Sequence, residues 1–176
     1  MYMRLFVALR VPSAAHPAIL RAAAPLRDCM GVRTLPPDNY HMTLRFIGGA
    51  DEEKAKEIGE ALKSVRFAPF TVVLRGAGAY PNTQFPRAIF VGGESKGAWA
   101  LAAEIEKALL PFGLQREKFS VHLTIARSKG AGDIDDFMKK TGEVCSFEVK
   151  SFALMKSRLM AHAASYEVLR EYRAEA

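Results

Sequence analysis

The 176-residue sequence predicts an α+β fold of two pseudo-symmetric lobes, each an antiparallel-rich sheet with helices on its outer side, around a central cleft. Three observations carry that reading. The tetrapeptides His41-Met42-Thr43-Leu44 and His122-Leu123-Thr124-Ile125 repeat one pattern, His, apolar, Thr, apolar, nearly half the chain apart. The order strand, helix, His strand, helix, strand occurs twice around them. A chain of this length, 49% hydrophobic and 25% charged, is sufficient for one domain with a substantial core. The expectation is a single bilobal domain over residues 1–176 with an internal duplication.

In chain order, the apolar and aromatic stretch Tyr2 to Arg10 reads as a strand. Its centre, Leu5-Phe6-Val7-Ala8-Leu9, faintly resembles a signal peptide but is too short, and Arg10 and Pro12 interrupt it. Ser13 opens an Ala-rich helix to about Arg27, and Gly31 to Asn39 forms a loop carrying Pro36 and Pro37. Tyr40 to Ile47 is the first His strand, closed by Gly48-Gly49. Asp51 is an N-cap, with Glu52 and Glu53 in the first turn of a helix to about Ser64. Phe67 to Arg75 is a strand ended by Gly76-Ala77-Gly78. The second half follows suit: a strand Arg87 to Val91, a helix from Ser95 to Leu110 stopped by Pro111 and Gly113, and the second His strand, Phe119 to Ala126. A short helix Asp133 to Lys140, a strand Ser146 to Leu154, a turn near Ala161 to Ala164 and a last strand, Ser165 to Arg173, complete the chain.

On a strand, side chains two apart share a face. His41 and Thr43 then point one way and Met42 and Leu44 the other, and the second echo behaves alike. Each echo presses an apolar pair into a core and offers an imidazole and a hydroxyl on the opposite side. Two such strands facing one cleft supply what a reaction at phosphorus needs. One imidazole takes a proton from the nucleophile, the other gives one to the leaving oxygen, and Thr43 and Thr124 donate to the non-bridging oxygens. Histidine is available in both forms near neutral pH. An arginine can add a charge-assisted contact. Alternation places Arg45 on the face of His41 and Thr43, whereas Arg127 reaches the cleft only if its strand ends or bulges first.

Other chemistries find less support. Neither echo brings an acidic neighbour on its own face, so no metal site is expected. Gly-x-Ser-x-Gly is absent, as are Walker and dinucleotide glycine patterns, and no cofactor is expected. His16 and His162 lack the context of the other two, while Tyr80 and Phe85 are candidates for stacking a base. The formal charge of +6 favours an anionic partner. Cys29 and Cys145 are isolated and suit buried thiols in a reducing compartment, hence a cytoplasmic protein. No stretch approaches membrane-spanning length. One chain completes the two-histidine site, so a monomer is expected.

These residues resemble the 2H phosphoesterase superfamily, named for two His-x-Thr/Ser-x motifs, and within it the RNA 2′,3′-cyclic phosphodiesterases, also called 2′–5′ RNA ligases. The likeness covers nearly the whole chain. It includes Arg4 to Leu9, His41 to Gly48, Gly76 to Pro81, Pro86 to Gly92, Phe119 to Arg127, and Ser157-Arg158-Leu159 with Tyr166 to Leu169. Val121 stands where proline is frequent in the family, and Tyr80 where phenylalanine is usual. The resemblance implies a LigT-like fold and metal-independent hydrolysis of a terminal 2′,3′-cyclic phosphate on RNA or a nucleotide to a 2′-phosphate. His41 then matches the proton donor and His122 the proton acceptor, roles the residues alone leave open. Arg127 matches a family arginine near the phosphate, and reversal of the chemistry gives weak 2′–5′ ligation. Alternatives are an RNA-end binding module without turnover, or action on 2′–5′ linkages or ADP-ribose cyclic phosphate.

Overall fold

A computed structural model describes residues 3–115, 117–130, 132–159 and 164–175. It contains two antiparallel sheets. The first strand, β1 (Met3–Arg10), is followed by helix α1 (His16–Ala22), strand β2 (Val32–Thr34), strand β3 (His41–Ala50) and helix α2 (Glu52–Ala61). Then come β4 (Phe70–Tyr80), β5 (Ala88–Glu94), α3 (Lys96–Leu109), β6 (His122–Ser128), α4 (Asp135–Lys140), β7 (Glu143–Val149), β8 (Ser151–Leu159) and β9 (Ala164–Arg173). A four-stranded sheet has the order β3-β1-β8-β9, and a five-stranded one the order β2-β6-β5-β4-β7. Apart from the extra edge strand β2, the orders correspond, with a His strand beside the strand that begins each half. The two His strands, β3 and β6, approach one another where the sheets meet.

The cap predicted at Asp51 forms, and Ser95, where the second long helix is expected to start, caps that helix as well. The Asp51 side chain accepts from the Lys54 amide at 2.9 Å, with Glu52 and Glu53 in the first turn of α2. Ser95 accepts from the Ala98 amide at 3.2 Å and donates to the Thr71 carbonyl at 2.7 Å, tying α3 to β4. One contiguous core includes Leu5, Val7 and Leu9 of β1, Met42, Leu44, Leu123 and Ile125 of the His strands, and Ile19, Ile58, Leu101 and Ile105 of the helices. A smaller cluster of Phe6, Ala8, Ala153 and Met155, with Tyr166 against it, lies on the other face of the four-stranded sheet. No helix among the described residues is long and apolar enough to cross a membrane.

Several expectations change. The helix expected from Ser13 to Arg27 is α1 alone, flanked by 3-10 turns at Ser13–Ala15 and Ala24–Leu26. Pro25 lacks the N–H that would continue the helical ladder. The strand β4 runs through Gly76-Ala77-Gly78 instead of stopping there, absorbing Gly76 at φ +72° in a register shift between Leu74 and Ala77. The single strand expected at Ser146 to Leu154 is two: β7 pairs with β4 and β8 with β1, so the chain changes sheets at Lys150. The short edge strand β2, within the expected loop, pairs with β6. Cys29 and Cys145 are free thiols, half-buried and not fully buried. His16 contacts the Val11 carbonyl at 3.3 Å and the Tyr40 ring. The expected turn at Ala161 to Ala164 and His162 fall outside the described residues, except for Ala164, which begins β9.

Gly78 answers a packing need: a Cβ there would come within 2.3 Å of the Phe90 ring on the neighbouring strand. Replacing Gly78→Ala is expected to force that ring aside and destabilise the fold by about 1–3 kcal/mol, measured by urea unfolding. Unchanged stability would mean that the ring has free space to move.

Candidate active site

The two His strands deliver their imidazoles to one cavity of about 1230 Å³, lined among others by His41, Thr43, His122, Thr124 and Arg127. Both rings are held the same way. The His41 Nδ1 lies 2.7 Å from the Asn39 carbonyl, and the His122 Nδ1 lies 3.0 Å from the Ser120 carbonyl. A carbonyl only accepts, so each Nδ1 carries the proton and donates, leaving each Nε2 for the cleft. Ser120 Oγ also sits 3.0 Å from His122 Nδ1, and the Tyr80 hydroxyl contacts Ser120 Oγ at 3.1 Å. Aromatic rings flank each imidazole: Phe6 and Tyr166 beside His41, Phe90 and Tyr80 beside His122.

Burial pushes the His41 imidazole below its ordinary range. The Asn39 hydrogen bond partly restores it, and the charges of Arg127 and His122 push it down again. The His122 imidazole is likewise lowered first by burial, against the Ser120 hydrogen bond and with Arg127 adding to the lowering.

The arginines are sorted by matching bulges. On β3, Val7 pairs with Arg45 and Ala8 with Thr43, so Leu44 is the extra residue. On β6, Ile89 pairs with Ala126 and Phe90 with Thr124, so Ile125 is the extra residue. In both strands the insertion falls three positions after the histidine, and side chains beyond it exchange faces. Arg127, paired with Ala88, therefore turns into the cleft, as the sequence expectation required of a bulge. Its counterpart at the same offset from His41 is Phe46, which also lines the cleft.

The expectation that Arg45 shares the His41 face does not hold, because strict alternation stops at Leu44. Arg45 is only 5% exposed and faces Glu106 at 2.8 Å and Glu117 at 3.4 Å, and it donates to the Gln115 carbonyl. These partners lie on α3 and on the segment that leads through Ser120 into β6. Arg45 thus braces the approach to the second histidine instead of meeting a ligand in the cleft.

Several lining residues escaped the sequence reading. Arg4 and Lys118 add positive charge, and Ser120 engages His122. Arg4 lies two residues from Phe6 on β1, and alternation would have put both on the cleft face. Ser120 is the residue two before the second histidine, as Asn39 is before the first, and that symmetric offset was a usable signal. Tyr80 lines the cleft, whereas Phe85 is exposed and is not part of its lining. Among the described residues, the lining contains no carboxylate, which suits an anion.

Comparison with known proteins agrees with this architecture. The family model for LigT-like phosphoesterases matches residues 9–90. An RNA 2′,3′-cyclic phosphodiesterase of Archaeoglobus fulgidus is 34% identical over 175 residues, covering 97% of this chain and 99% of the relative. One from Aeropyrum pernix is 38% identical over 165 residues, covering 86% and 94%. The crystal structure of TT0787 of Thermus thermophilus superposes with a TM-score of 0.85 at 28% identity, covering 97% of both chains. Escherichia coli LigT in complex with 3′-AMP shares the fold at TM-score 0.83 and 22% identity over the full length of both. With two sheets meeting at paired His-x-Thr strands and likenesses that run almost end to end, the chain belongs to the LigT-like phosphoesterase family, together with the RNA 2′,3′-cyclic phosphodiesterases.

Proposed function

We propose that this protein is an RNA 2′,3′-cyclic phosphodiesterase that opens a terminal 2′,3′-cyclic phosphate to a 2′-phosphate by two-histidine acid/base catalysis without a metal. The observation that carries the reading is the pair of imidazoles, each held through Nδ1 by the carbonyl two residues before it, in one cationic cleft. The relatives named RNA 2′,3′-cyclic phosphodiesterase supply the substrate class.

In this mechanism His122 Nε2 takes a proton from water, whose oxygen attacks phosphorus. The bond from phosphorus to the 3′ oxygen breaks, and His41 Nε2 gives its proton to that oxygen. Thr43 and Thr124 donate to the non-bridging oxygens, and Arg127 offsets their negative charge as it concentrates. A proton passed back through solvent restores both rings. We read the chain as one bilobal domain with an internal duplication, supported by the corresponding strand orders and by the bulge at the same offset in each His strand. One chain supplies both histidines, which supports action as a monomer, and the free thiols are in keeping with the cytoplasm.

Phosphorus NMR of 2′,3′-cyclic AMP incubated with the protein should show the cyclic signal replaced by a monoester. Binding without a new signal would make the protein a binding module instead. His41→Ala and His122→Ala are each expected to lower kcat by about 10²–10⁴-fold with circular dichroism unchanged. Full turnover in either variant would remove the assignment. Turnover should persist in excess EDTA, and its loss with restoration by a divalent metal would overturn the metal-free mechanism.

The pH dependence follows from the lowered imidazoles. The base works above its pKa and the acid below its own, and kcat/KM reports the free enzyme. With both lowered from 6.5, the alkaline fall of kcat/KM is expected to begin below 6.5. An alkaline limb centred above pH 7 would contradict the burial argument.

A further inference from the structure

The Nδ1 of His122 meets more than its carbonyl anchor. It also lies 3.0 Å from the Ser120 hydroxyl oxygen, and the Tyr80 hydroxyl lies 3.1 Å from that oxygen. The anchoring carbonyl, at 3.0 Å, fixes the proton on Nδ1, so Ser120 Oγ accepts from the ring and cannot donate to it. The hydroxyl hydrogen of Ser120 is then available to the Tyr80 oxygen. Aligned in this way, from Nδ1–H to Ser120 Oγ and from Ser120 O–H to Tyr80 Oη, each bond polarises the next. The opposite setting, with Tyr80 donating to Ser120, would weaken Oγ as an acceptor beside a positive ring. Tyr80 is 45% exposed, so water competes for its hydroxyl. Its advantage over water is a fixed position: the ring stacks on Phe90 at 4.8 Å and meets His122 edge to face at 5.5 Å.

We infer that Ser120 and Tyr80 are positioning residues, a two-hydroxyl relay that fixes the His122 ring and steadies the charge the ring gains on taking a proton. The inference rests on the reading of His122 as the base. Phenylalanine is usual at the Tyr80 position among the proteins this chain resembles, so the outer hydroxyl is a feature of this chain. When water gives its proton to His122 Nε2, Nδ1 keeps its own, and no proton travels along the relay. What changes is the strength of the bonds, because a charged donor binds its acceptor more strongly than a neutral one. The relay therefore contributes more in the transition state than in the resting enzyme, which raises kcat. It opposes burial and the charge of Arg127, which both disfavour the protonated ring. The other ionisable groups around His122 are His41 across the cleft, Lys118 on the segment leading into β6, and Arg45 with Glu106 and Glu117 in the adjoining groove. Removing either hydroxyl leaves all of these in place.

Tyr80→Phe deletes the outer hydroxyl and keeps the stacked ring, and Ser120→Ala deletes the inner hydroxyl and keeps the carbonyl anchor. On 2′,3′-cyclic AMP, each is expected to lower kcat about threefold to tenfold with KM little changed. Because Tyr80 acts only through Ser120, the double variant should be no slower than Ser120→Ala alone. Wild-type kcat in Tyr80→Phe, or losses that multiply in the double variant, would overturn the relay. Imidazole NMR of the ¹⁵N-labelled full chain, with His122→Ala to assign the signals, supplies a readout that packing alone would not move. Without a hydroxyl, burial and Arg127 are less opposed, so His122 should titrate at lower pH in both single variants, with His41 moving much less. An unmoved His122, or an equal movement of both histidines, would refute the relay. Failure of the wild-type protein to open 2′,3′-cyclic AMP would refute the catalytic reading instead, while the NMR titration, which needs no turnover, still judges the relay.

Discussion

An imidazole can exchange a proton at a chosen point in space only if its other nitrogen is committed elsewhere. Here that commitment is made twice by the backbone, through the carbonyls of Asn39 and Ser120 two residues before each histidine. Because the anchor belongs to the strand's own lead-in, ring orientation is inherited from the fold and does not depend on a distant carboxylate. A carboxylate partner would have raised the imidazole pKa. The neutral carbonyl raises it less, so burial still holds both rings below their ordinary range. The aromatic rings that crowd each imidazole, and the glycine that lets Phe90 reach His122, all serve this arrangement.

The bulges decide what else enters the site. A one-residue insertion three positions after each histidine turns the fifth residue inward, giving Arg127 on one side and Phe46 on the other. The backbone is symmetric at this point and the chemistry is not. One side of the cleft carries a cation and the other a ring. The residue just before, now turned to the core, is Ala126 in one strand and Arg45 in the other. Burying Arg45 is tolerable because two carboxylates and a carbonyl surround it. Those partners fasten the second His strand's approach to the first His strand.

Much of this was legible in the sequence, since periodicity and end signals are local. The apolar pairs Met42 and Leu44, Leu123 and Ile125 read as core and are buried, and Asp51 and Ser95 read as helix starts and cap them. The repeated His-x-Thr pattern brought both histidines and both threonines to one cavity. What failed was whatever depends on pairing partners. A bulge is a property of two strands, so alternation along β3 alone misplaced Arg45. Likewise, Gly76-Ala77-Gly78 looks like a strand end until Phe90 is set across from Gly78. The division at Lys150 was invisible because both flanks are strand-forming, and only their different neighbours, β4 and β1, separate them.

The strand that ends the first half, β4, sits in the sheet of the second, and β8 returns from the second half to lie between β1 and β9. The lobes are therefore stitched through one another, and sequence halves are not structural halves. A chain severed between Tyr80 and Ala88 yields two pieces, each with strands whose hydrogen-bonding edges await the other piece. Neither piece closes its own sheet, so they recover a native cleft only by mutual complementation. The same interlacing places many strand pairings far apart in the chain, a topology that goes with slower folding than one built from local contacts. It also means that a rigid-body parting of the lobes must bend the crossover segments instead of pulling apart a simple interface.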